Sequence, residues 1–374
     1  MKNIYKFLNK KHKVNVLTAN PTYPNQEIYE DEKFWKDSPT EVTRIKTRTK
    51  FYTSNLLLRM ILYLETILKM IFNVSCSKEK YDTIFISTPP IFISLVGFIA
   101  KKKWQAKLII DVRDLWPETL LGIGKIKGYL LLKIAYYFEK KMYQVADQII
   151  VNSEAFSDYL IKKGVDKNVI TYIPNGLTTE ELMLPKKIKQ TKKTTIIYTG
   201  NIGLAQNLEV LLQIACQLQY DQTVQFKIVG YGYKKEQLIK KIIEKKLTNT
   251  ITVLPPDTRE NVLAMTIDAD IAFLSLEDHD VFNSVVPGKL IDYMGCGVPI
   301  LGVLSGYSQS IVENNKCGFV YKKNEIDKII TDIFYLRHSK KVKSKFGENG
   351  YRYAKANYNW AINSKKLIKV VDDE

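Results

Sequence analysis

The sequence predicts an α/β protein made of two doubly wound domains, each a parallel sheet covered by helices on both faces. Short β-branched runs alternate with amphipathic helical stretches, which is the pattern of parallel sheets. The length of 374 residues suits two domains better than one. An apolar content of 45%, with 11% aromatic residues, supplies two cores and excludes a largely disordered chain.

The alternation places the elements in order along the chain. The helices that stand out lie at 208–219, 234–245 and 289–295. The strands are expected at 13–18, 83–87, 107–112 and 148–152 in the first half, and at 194–199, 225–229, 250–254, 271–274 and 299–303 in the second.

The domain boundary is expected where the apolar pattern is poorest. That stretch is 178–193, and it contains the break Pro185-Lys186-Lys187. We therefore expect an N-terminal domain over 1–180 and a C-terminal domain over 190–348. A final helix over 349–374 is expected to cross back to the N-terminal domain.

Composition narrows the classes of partner and cofactor. There are 56 Lys and Arg against 39 Asp and Glu, a net charge of +17, which fits nucleic acid, an anionic membrane surface or a diphosphate substrate. The four cysteines form no CxxC pair and histidine occurs three times, which excludes a zinc module, a disulfide scaffold and a histidine-based metal site. The first residues lack the apolar stretch of a signal peptide, so a cytoplasmic location is expected.

Two segments of the first half have the composition of a membrane interface. The apolar stretch 56–72 is broken by Arg59, Glu65 and Lys69, which argues against a transmembrane helix. The segment 125–143 mixes lysines, Lys133 among them, with tyrosines and a phenylalanine. We take Arg59, Lys69 and Lys133 as candidate membrane or acceptor contacts. The alternative is a pair of partly packed helices with solvated basic faces.

Three glycine-bearing turns in the second half could hold phosphate. The first contains Gly200, Asn201 and Gly203, the second Gly230 and Gly232, and the third Pro287, Gly288 and Lys289 at the start of a helix. Glycines let the backbone approach a phosphate, and a helix N-terminus offers N–H groups that bind anions. Turns at the carboxyl ends of parallel strands are where a nucleotide diphosphate would bind. The alternative is that each glycine serves only backbone packing.

A polar cluster follows the strand at 107–112. It runs Asp111-Val112-Arg113-Asp114-Leu115-Trp116-Pro117-Glu118. Such a cluster could present Arg113 and Asp114 to a sugar, with Trp116 as an apolar wall. The alternative is a group of capping residues between strand and loop.

At these segments the sequence resembles the retaining family-4 glycosyltransferases of GT-B fold. More narrowly, it resembles the bacterial surface-polysaccharide branch that includes fucosaminyltransferases. The matches follow family order over nearly the whole chain. They are 13–18 with Asn20-Pro21-Thr22-Tyr23-Pro24, Ser87-Thr88-Pro89-Pro90, 111–118, Ile173-Pro174-Asn175-Gly176, Tyr198-Thr199-Gly200-Asn201-Ile202-Gly203, Val229-Gly230-Tyr231-Gly232, and Pro287-Gly288-Lys289 leading to 293–299.

The resemblance implies a sugar-nucleotide donor on the C-terminal domain and an acceptor on the N-terminal domain. The acidic residue that meets the ribose hydroxyls in the family corresponds to Asp292, whereas its usual acidic partner corresponds to Ser284. The basic residues that follow the glycine turn in many relatives correspond to Asn201 and Gln206. The donor-binding candidates are therefore Gly200, Asn201, Gly203, Gly230, Gly232, Arg259, Pro287, Gly288, Lys289 and Asp292.

The catalytic candidates implied by the resemblance are Arg113, Asp114 and Lys289. Arg113 corresponds to a histidine of many relatives and would orient the acceptor or the leaving phosphate. Lys289, with the helix dipole and backbone amides near Asn201 and Gly203, would carry the phosphate charge. No bound metal or other cofactor is expected.

The function expected from this resemblance is a retaining glycosyltransferase of capsule or O-antigen synthesis, peripheral on the inner face of the cell membrane. It would move an N-acetylated deoxysugar, with UDP-N-acetyl-L-fucosamine as first choice, to an undecaprenyl-diphosphate-type lipid-linked acceptor. Three alternatives remain: another nucleotide-sugar donor, a sugar-nucleotide 2-epimerase, and a basic nucleic-acid-binding protein. The third is weak because the lysines are dispersed and no nucleic-acid-binding motif is found.

The N-terminus departs from the family. Relatives open with a strand, a glycine-rich loop and a helix before the segment that corresponds to 13–18, whereas this chain begins within that helix. The opening strand of a doubly wound sheet is central. Its absence is expected to leave two strand edges without partners and to open the core.

Overall fold

The computed structural model describes residues 1–20, 42–47, 56–122, 124, 128–184 and 193–373. Parts of the predictions lie outside these residues: the motif residues Pro21, Thr22, Tyr23 and Pro24, the start of the 125–143 segment, the break at 185–187 and the side chain of Arg59. The chain divides into two compact units. Unit 1 is Met1–Pro174 with Asn363–Glu374, and unit 2 is Asn175–Ile362.

Unit 1 contains parallel strands that alternate with helices. Its four-stranded sheet has the order β3-β4-β5-β6, and a separate pair is formed by β1 and β2. The elements in chain order are α1 Lys2–Leu8, β1 Val16–Ala19, β2 Val42–Ile45, α2 Leu56–Cys76, β3 Thr83–Thr88, α3 Ile93–Trp104, β4 Lys107–Val112, α4 Glu118–Gly122, α5 Tyr129–Val145, β5 Gln148–Val151, α6 Glu154–Lys162 and β6 Ile170–Tyr172.

The core of unit 1 is built on β4. Leu108, Ile109, Ile110 and Val112 are fully buried, as is typical of a parallel strand covered by helices on both faces. The strand ends at Val112, so Arg113 and the residues after it leave the sheet at its carboxyl edge. The polar cluster at 111–118 therefore occupies the edge at which open α/β sheets bind ligands.

The described strands of unit 1 form two separate sheets. Among the described residues, β1 pairs with β2 and β3 pairs with β4, so each of β1 and β3 has one edge without a strand partner. A cavity of about 1930 Å³ is lined by residues of both strands, including Val16, Thr18, Ile84 and Ile86. The apolar side chains between β1 and β3 therefore line a cavity.

Unit 2 contains one six-stranded parallel sheet of order β12-β11-β10-β7-β8-β9. The chain runs outward from β7 in one direction and from β10 in the other, so the switch point lies between these two strands. The elements are α7 Thr179–Leu182, β7 Thr194–Asn201, α8 Leu208–Gln217, β8 Val224–Tyr231, α9 Lys235–Glu244, β9 Ile251–Leu254, α10 Arg259–Ile267, β10 Ile271–Ser275, α11 Gly288–Gly295, β11 Ile300–Val303, α12 Gly306–Asn314, β12 Gly318–Tyr321, α13 Ile326–His338, α14 Lys340–Asn357 and α15 Trp360–Asp372.

The predicted fold class is confirmed by this topology: both units are α/β with parallel strands. Three strands were missed, namely β2, β6 and β12, which are three or four residues long. Such short runs carry little periodicity. The segment 349–374 is not one helix, because it contains the end of α14 and then α15. From Asn363 onward the chain belongs to unit 1.

Candidate active site

The turn after β7 is shaped by close backbone contacts. Gly200 has φ +105°, and a Cβ atom at Gly230 would lie 1.9 Å from the carbonyl oxygen of Gly200. A Cβ atom at Gly232 would lie 2.4 Å from the carbonyl oxygen of Ile202. The glycines at 230 and 232 are therefore required by backbone packing, which is the alternative to phosphate binding that the sequence left open for that turn. They let the turn that contains Asn201 and Gly203 lie against the end of β8.

Lys289 lies beside this turn. Its Nζ is 2.5 Å from the hydroxyl of Tyr198 and 3.9 Å from the centroid of the same ring. A Cβ atom at Gly200 would be 3.9 Å from Nζ, so the ammonium group is adjacent to the first glycine of the turn. The Tyr198 hydroxyl in turn donates to the carbonyl oxygen of Asn201 at 2.6 Å.

The charge of Lys289 is not balanced by a nearby carboxylate in the part of the chain that the structure describes. Burial lowers the pKa of Lys289 to about 7. A half-buried cation without an acidic partner, next to a glycine turn and a helix N-terminus, suits an anionic ligand. This is the chemistry that a diphosphate requires.

The helix that carries Lys289 is fixed to the end of β7. Pro287 is the N-cap of α11, and Gly288 is exposed with open space around its Cα. Tyr293, which is fully buried, accepts a hydrogen bond from the backbone N–H of Thr199 at 2.8 Å. Burial raises the pKa of Tyr293, so the hydroxyl stays neutral. This bond fixes the helix N-terminus relative to the glycine turn.

Asp292 and Arg259 form a two-point ion pair. The guanidinium Nη2 and Nη1 of Arg259 lie 2.8 Å and 3.2 Å from the two carboxylate oxygens of Asp292. Burial raises the pKa of Asp292, and the guanidinium opposes that shift. Arg259 also pairs with Glu181, whose Oε1 is 2.5 Å from Nε. Two donor-binding candidates that are far apart in the sequence are thus in direct contact.

Two further residues lie at the carboxyl end of β10 or just beyond it. Ser275 is fully buried, and its Oγ has no hydrogen-bond partner within the described part of the chain. Ser284 donates to the carbonyl oxygen of Val281 at 2.9 Å, inside the 3₁₀ turn Asp280–Ser284.

Gln206 accepts a hydrogen bond from the N–H of Gly203 at 3.1 Å and so stabilises the glycine turn.

In unit 1, Arg113 is oriented by a buried carboxylate. Its Nε lies 2.6 Å from Oδ2 of Asp111, and the hydroxyl of Ser87 donates to the same oxygen at 3.0 Å. Asp111 is almost fully buried, whereas the side chain of Arg113 is partly exposed. Asp111 and Ser87 therefore act as supports that hold the guanidinium at the carboxyl edge of the sheet.

Asp114 and Trp116 have different surroundings. Asp114 accepts a hydrogen bond from the hydroxyl of Thr119 at 2.5 Å, and burial raises its pKa. Asp114 thus contacts the first turn of α4 through a side chain. Trp116 is half-buried and meets the ring of Tyr63 edge to face at 6.5 Å.

A group of tyrosines around Glu118 was not predicted from the sequence. Its Oε1 accepts from Tyr136 at 2.9 Å and from Tyr159 at 3.2 Å, and Tyr159 also contacts Glu139 at 2.8 Å. These hydroxyls link α4 to α5 and α6 directly after the 111–118 cluster. No spacing rule in the sequence connects residues on three different helices, so nothing in the pattern could have found them.

The candidate membrane residues lie on helices with exposed apolar faces. Lys69 pairs with Glu65 at 2.7 Å, and Lys133 is exposed on α5. One face of α2 is apolar and exposed, because Leu64 and Phe72 are 59% and 70% exposed. The other strongly exposed apolar side chains of these helices are Ile61 and Leu68 on α2, and Tyr129, Leu130 and Tyr137 on α5.

The described residues contain neither a membrane-spanning helix nor a metal-binding group of side chains. No helix among them is both long enough and apolar enough to span a bilayer. Nor do three or more of their His, Cys, Asp and Glu side chains come together in a group that could hold a metal ion.

Comparison with known proteins gives the family. Residues 5–176 match the family described as "Glycosyl transferase 4-like domain", and residues 180–353 match "Glycosyl transferases group 1". WcaI of Escherichia coli K12, a glycosyl transferase assigned to colanic acid biosynthesis, is 25% identical over 304 residues, which are 76% of this chain and 74% of WcaI. The chitobiosyldiphosphodolichol beta-mannosyltransferase of Debaryomyces hansenii is 23% identical over 292 residues, 68% of this chain and 61% of that protein.

Solved structures show the same fold. HepE of Anabaena, crystallised in complex with UDP-glucose, superposes with a TM-score of 0.68 at 14% identity, over 97% of this chain and 100% of that chain. The two-domain Rossmann-like architecture of GT-B enzymes is thereby confirmed. The two family matches together cover nearly the whole chain, and the chain belongs to the GT-B glycosyltransferases with a family 4-like domain followed by a group 1 domain.

Proposed function

We propose that this glycosyltransferase takes its sugar from a UDP-sugar bound at the carboxyl edge of the unit 2 sheet. The observation that carries the proposal is Lys289, a half-buried cation without a described acidic partner, beside the Gly200 turn. The turn lies at the switch point between β7 and β10, where open α/β sheets bind nucleotides. That HepE binds UDP and UDP-glucose supports UDP as the nucleotide.

The proposed reaction is transfer with retention of the anomeric configuration. The acceptor hydroxyl attacks the anomeric carbon on the face from which the diphosphate departs, and a diphosphate oxygen takes the hydroxyl proton. One glycosidic bond forms while the bond to the β-phosphate breaks. Lys289, the N-terminus of α11 and amides near Asn201 and Gly203 stabilise the charge that develops on the diphosphate. We propose that no metal ion is needed, because this cation and these dipoles supply the positive charge.

We propose a lipid diphosphate-linked saccharide as the acceptor, bound on unit 1 near Arg113 and Trp116. The name of the yeast relative refers to a dolichol-linked saccharide, and that of WcaI to colanic acid biosynthesis. The exposed apolar faces of α2 and α5, with lysines beside them, suit docking on the inner face of an anionic membrane. A role in capsule or O-antigen synthesis, with an N-acetylated deoxysugar such as L-FucNAc, follows from the resemblance to that branch.

The donor proposal is tested by direct binding. We expect UDP to raise the melting temperature of the protein more than GDP does, because a ligand of the native state stabilises it. Lys289→Ala should weaken UDP binding by roughly tenfold or more, since a charge-assisted hydrogen bond is lost. Lys240→Ala, which removes a lysine that is 78% exposed on α9, is the matched control.

The same variants separate binding from chemistry. UDP release in the presence of a UDP-sugar and a lipid-linked acceptor should fall in Lys289→Ala and persist in Lys240→Ala. Unchanged UDP affinity and turnover in Lys289→Ala would overturn the proposed role of the lysine. Turnover that is lost on chelation and restored by Mn²⁺ would contradict the metal-free reaction.

A further inference from the structure

Glu181 contacts the donor site of unit 2 through Arg259. The guanidinium of Arg259 uses one edge for Asp292 and the other for Glu181, with Nε 2.5 Å from Oε1 and Nη2 3.4 Å from Oε2. An arginine has five N–H donors in a rigid planar fork, so engaging both edges fixes its orientation. Partial burial disfavours the guanidinium charge, but the two carboxylates outweigh it and raise the pKa of Arg259. The arginine is therefore a permanently charged bridge between two acids.

Glu181 is itself held in place before any ligand binds. It is the third residue of α7, and its Oε2 accepts a hydrogen bond from the backbone N–H of Thr178 at 2.8 Å. The hydroxyl of Thr178 accepts in return from the N–H of Glu181 at 3.2 Å. This capping box fixes the glutamate on its own helix. The side chain is only 18% exposed.

Asp292 is the member of this group that is placed to meet a ligand. It follows Lys289 by three residues on α11, so both side chains lie on neighbouring positions of one helix face. A carboxylate has about four acceptor sites, and Arg259 occupies one on each oxygen. Acceptor sites for hydroxyl groups remain on both oxygens. Without the guanidinium, burial would favour the protonated acid, which accepts hydrogen bonds less well.

We propose that Glu181 is a positioning residue for the donor: through Arg259 it keeps Asp292 oriented to accept hydrogen bonds from the ribose hydroxyls of the nucleotide. The proposal rests on the proposed UDP-sugar site and adds to it a residue of α7. Its chemistry is that of a carboxylate that recognises a vicinal diol. Removal of the Glu181 charge lets the guanidinium turn away from Asp292.

The test compares ligands that differ only at the ribose. Binding of UDP, 2′-deoxy-UDP and 3′-deoxy-UDP is measured by calorimetry on the full chain and on Glu181→Gln. The glutamine can still close the capping box, so the change removes the charge and spares the helix start. Glu180→Gln, one residue away on the same helix and exposed, is the matched control.

We expect the wild type to prefer UDP over at least one deoxy analogue by roughly tenfold, the usual contribution of a hydrogen bond to a charged group. Glu181→Gln should lose most of this preference while its binding of the deoxy analogues stays unchanged. Arg259→Lys, which keeps a cation but loses the fork, should show the same loss, and Glu180→Gln should not.

Three results would overturn the inference. They are an unchanged preference in Glu181→Gln, an equal loss of affinity for all three ligands, and a wild type that does not distinguish UDP from either analogue. In each of these cases UDP still binds, so the proposed function stands. If the wild type binds none of the three ligands, the proposed donor site is wrong and the role of Glu181 with it.

Discussion

At the scale of single residues, the molecule keeps one lysine at the switch point of unit 2 in an unusual state. Lys289 has a hydroxyl and an aromatic face as neighbours, and burial lowers its pKa to about 7. A diphosphate would supply the missing negative charge and favour the ammonium form. At the proposed donor site, the protonation of this one side chain would therefore be coupled to donor binding.

This coupling predicts a pH-dependent affinity for UDP. Above pH 7 the free protein increasingly carries a neutral Lys289, while the complex carries the charged form, so binding takes up a proton. The dissociation constant for UDP should rise by up to about tenfold per pH unit between pH 7 and pH 9. The phosphate itself titrates near pH 6, below this window.

Calorimetry at several pH values measures this dependence. The number of protons taken up is obtained from the change in binding enthalpy between buffers that differ in ionisation enthalpy. Lys289→Arg should flatten the profile, because a guanidinium stays charged throughout the range. A flat profile in the wild type would show that UDP binding does not change the protonation of the lysine and would contradict the coupling.

At the scale of elements, α2 and α5 present apolar side chains to solvent. Leu64 and Phe72 on α2, and Leu130 and Tyr137 on α5, all have more than half of their surface exposed. Both helices also contact the segment that contains Trp116 and Glu118, α2 through the ring of Tyr63 and α5 through the hydroxyl of Tyr136. A membrane bound by these helices would lie close to the proposed acceptor site.

The vesicle prediction follows from this exposure. We expect the protein to sediment with phosphatidylglycerol vesicles at low salt and to be released as salt screens the lysines. Leu64→Glu should weaken this binding by roughly tenfold, because one leucine can no longer enter the interface. Ile243→Glu, at a residue 61% exposed on α9 of unit 2, is the control and should sediment as the wild type does.

Equal binding of the two variants would show that α2 does not enter the membrane. Equal sedimentation with neutral and anionic vesicles would remove the electrostatic part of the proposal.

At the scale of the whole molecule, the two units differ in how complete their sheets are. The sheet of unit 2 is continuous over six strands, whereas the described strands of unit 1 form separate sheets of two and four. One edge of β1 and one edge of β3 have no strand partner among the described residues, and both strands line the cavity. Backbone groups on such edges lack the protection of a sheet.

Hydrogen exchange should report this difference. Along β3, successive backbone amides point alternately to β4 and to the edge without a strand partner. We therefore expect protection along Thr83–Thr88 to alternate, with roughly tenfold or more faster exchange at the amides that point away from β4. The strand β8, which pairs on both sides, should be protected throughout. Uniform protection along β3 would mean that its second edge is also bonded.

Much of the fold and part of the site could be predicted from local pattern. The strand–helix alternation located β4, β7, β8 and β10, and the carboxyl ends of parallel strands meet at one edge of a sheet. Lys289 and Gly200 could therefore be assigned to the same edge from the sequence. The roles of Gly230 and Gly232 could not be predicted in this way. Glycine is needed both where a side chain would clash with a neighbouring strand and where the backbone contacts a phosphate, so the sequence looks the same in the two cases.

The sequence by itself determined the fold class, and it predicted a diphosphate site at the carboxyl edge of unit 2 and two helices with the composition of a membrane interface. These follow from periodicity and composition, which are local properties. The tertiary structure alone decided that Lys289 contacts Tyr198, 91 positions away in the sequence. It also decided that Arg259 joins Asp292 to Glu181, which lies 78 positions before the arginine. Such pairs form because separate elements pack against each other, and no local pattern records which side chains then meet.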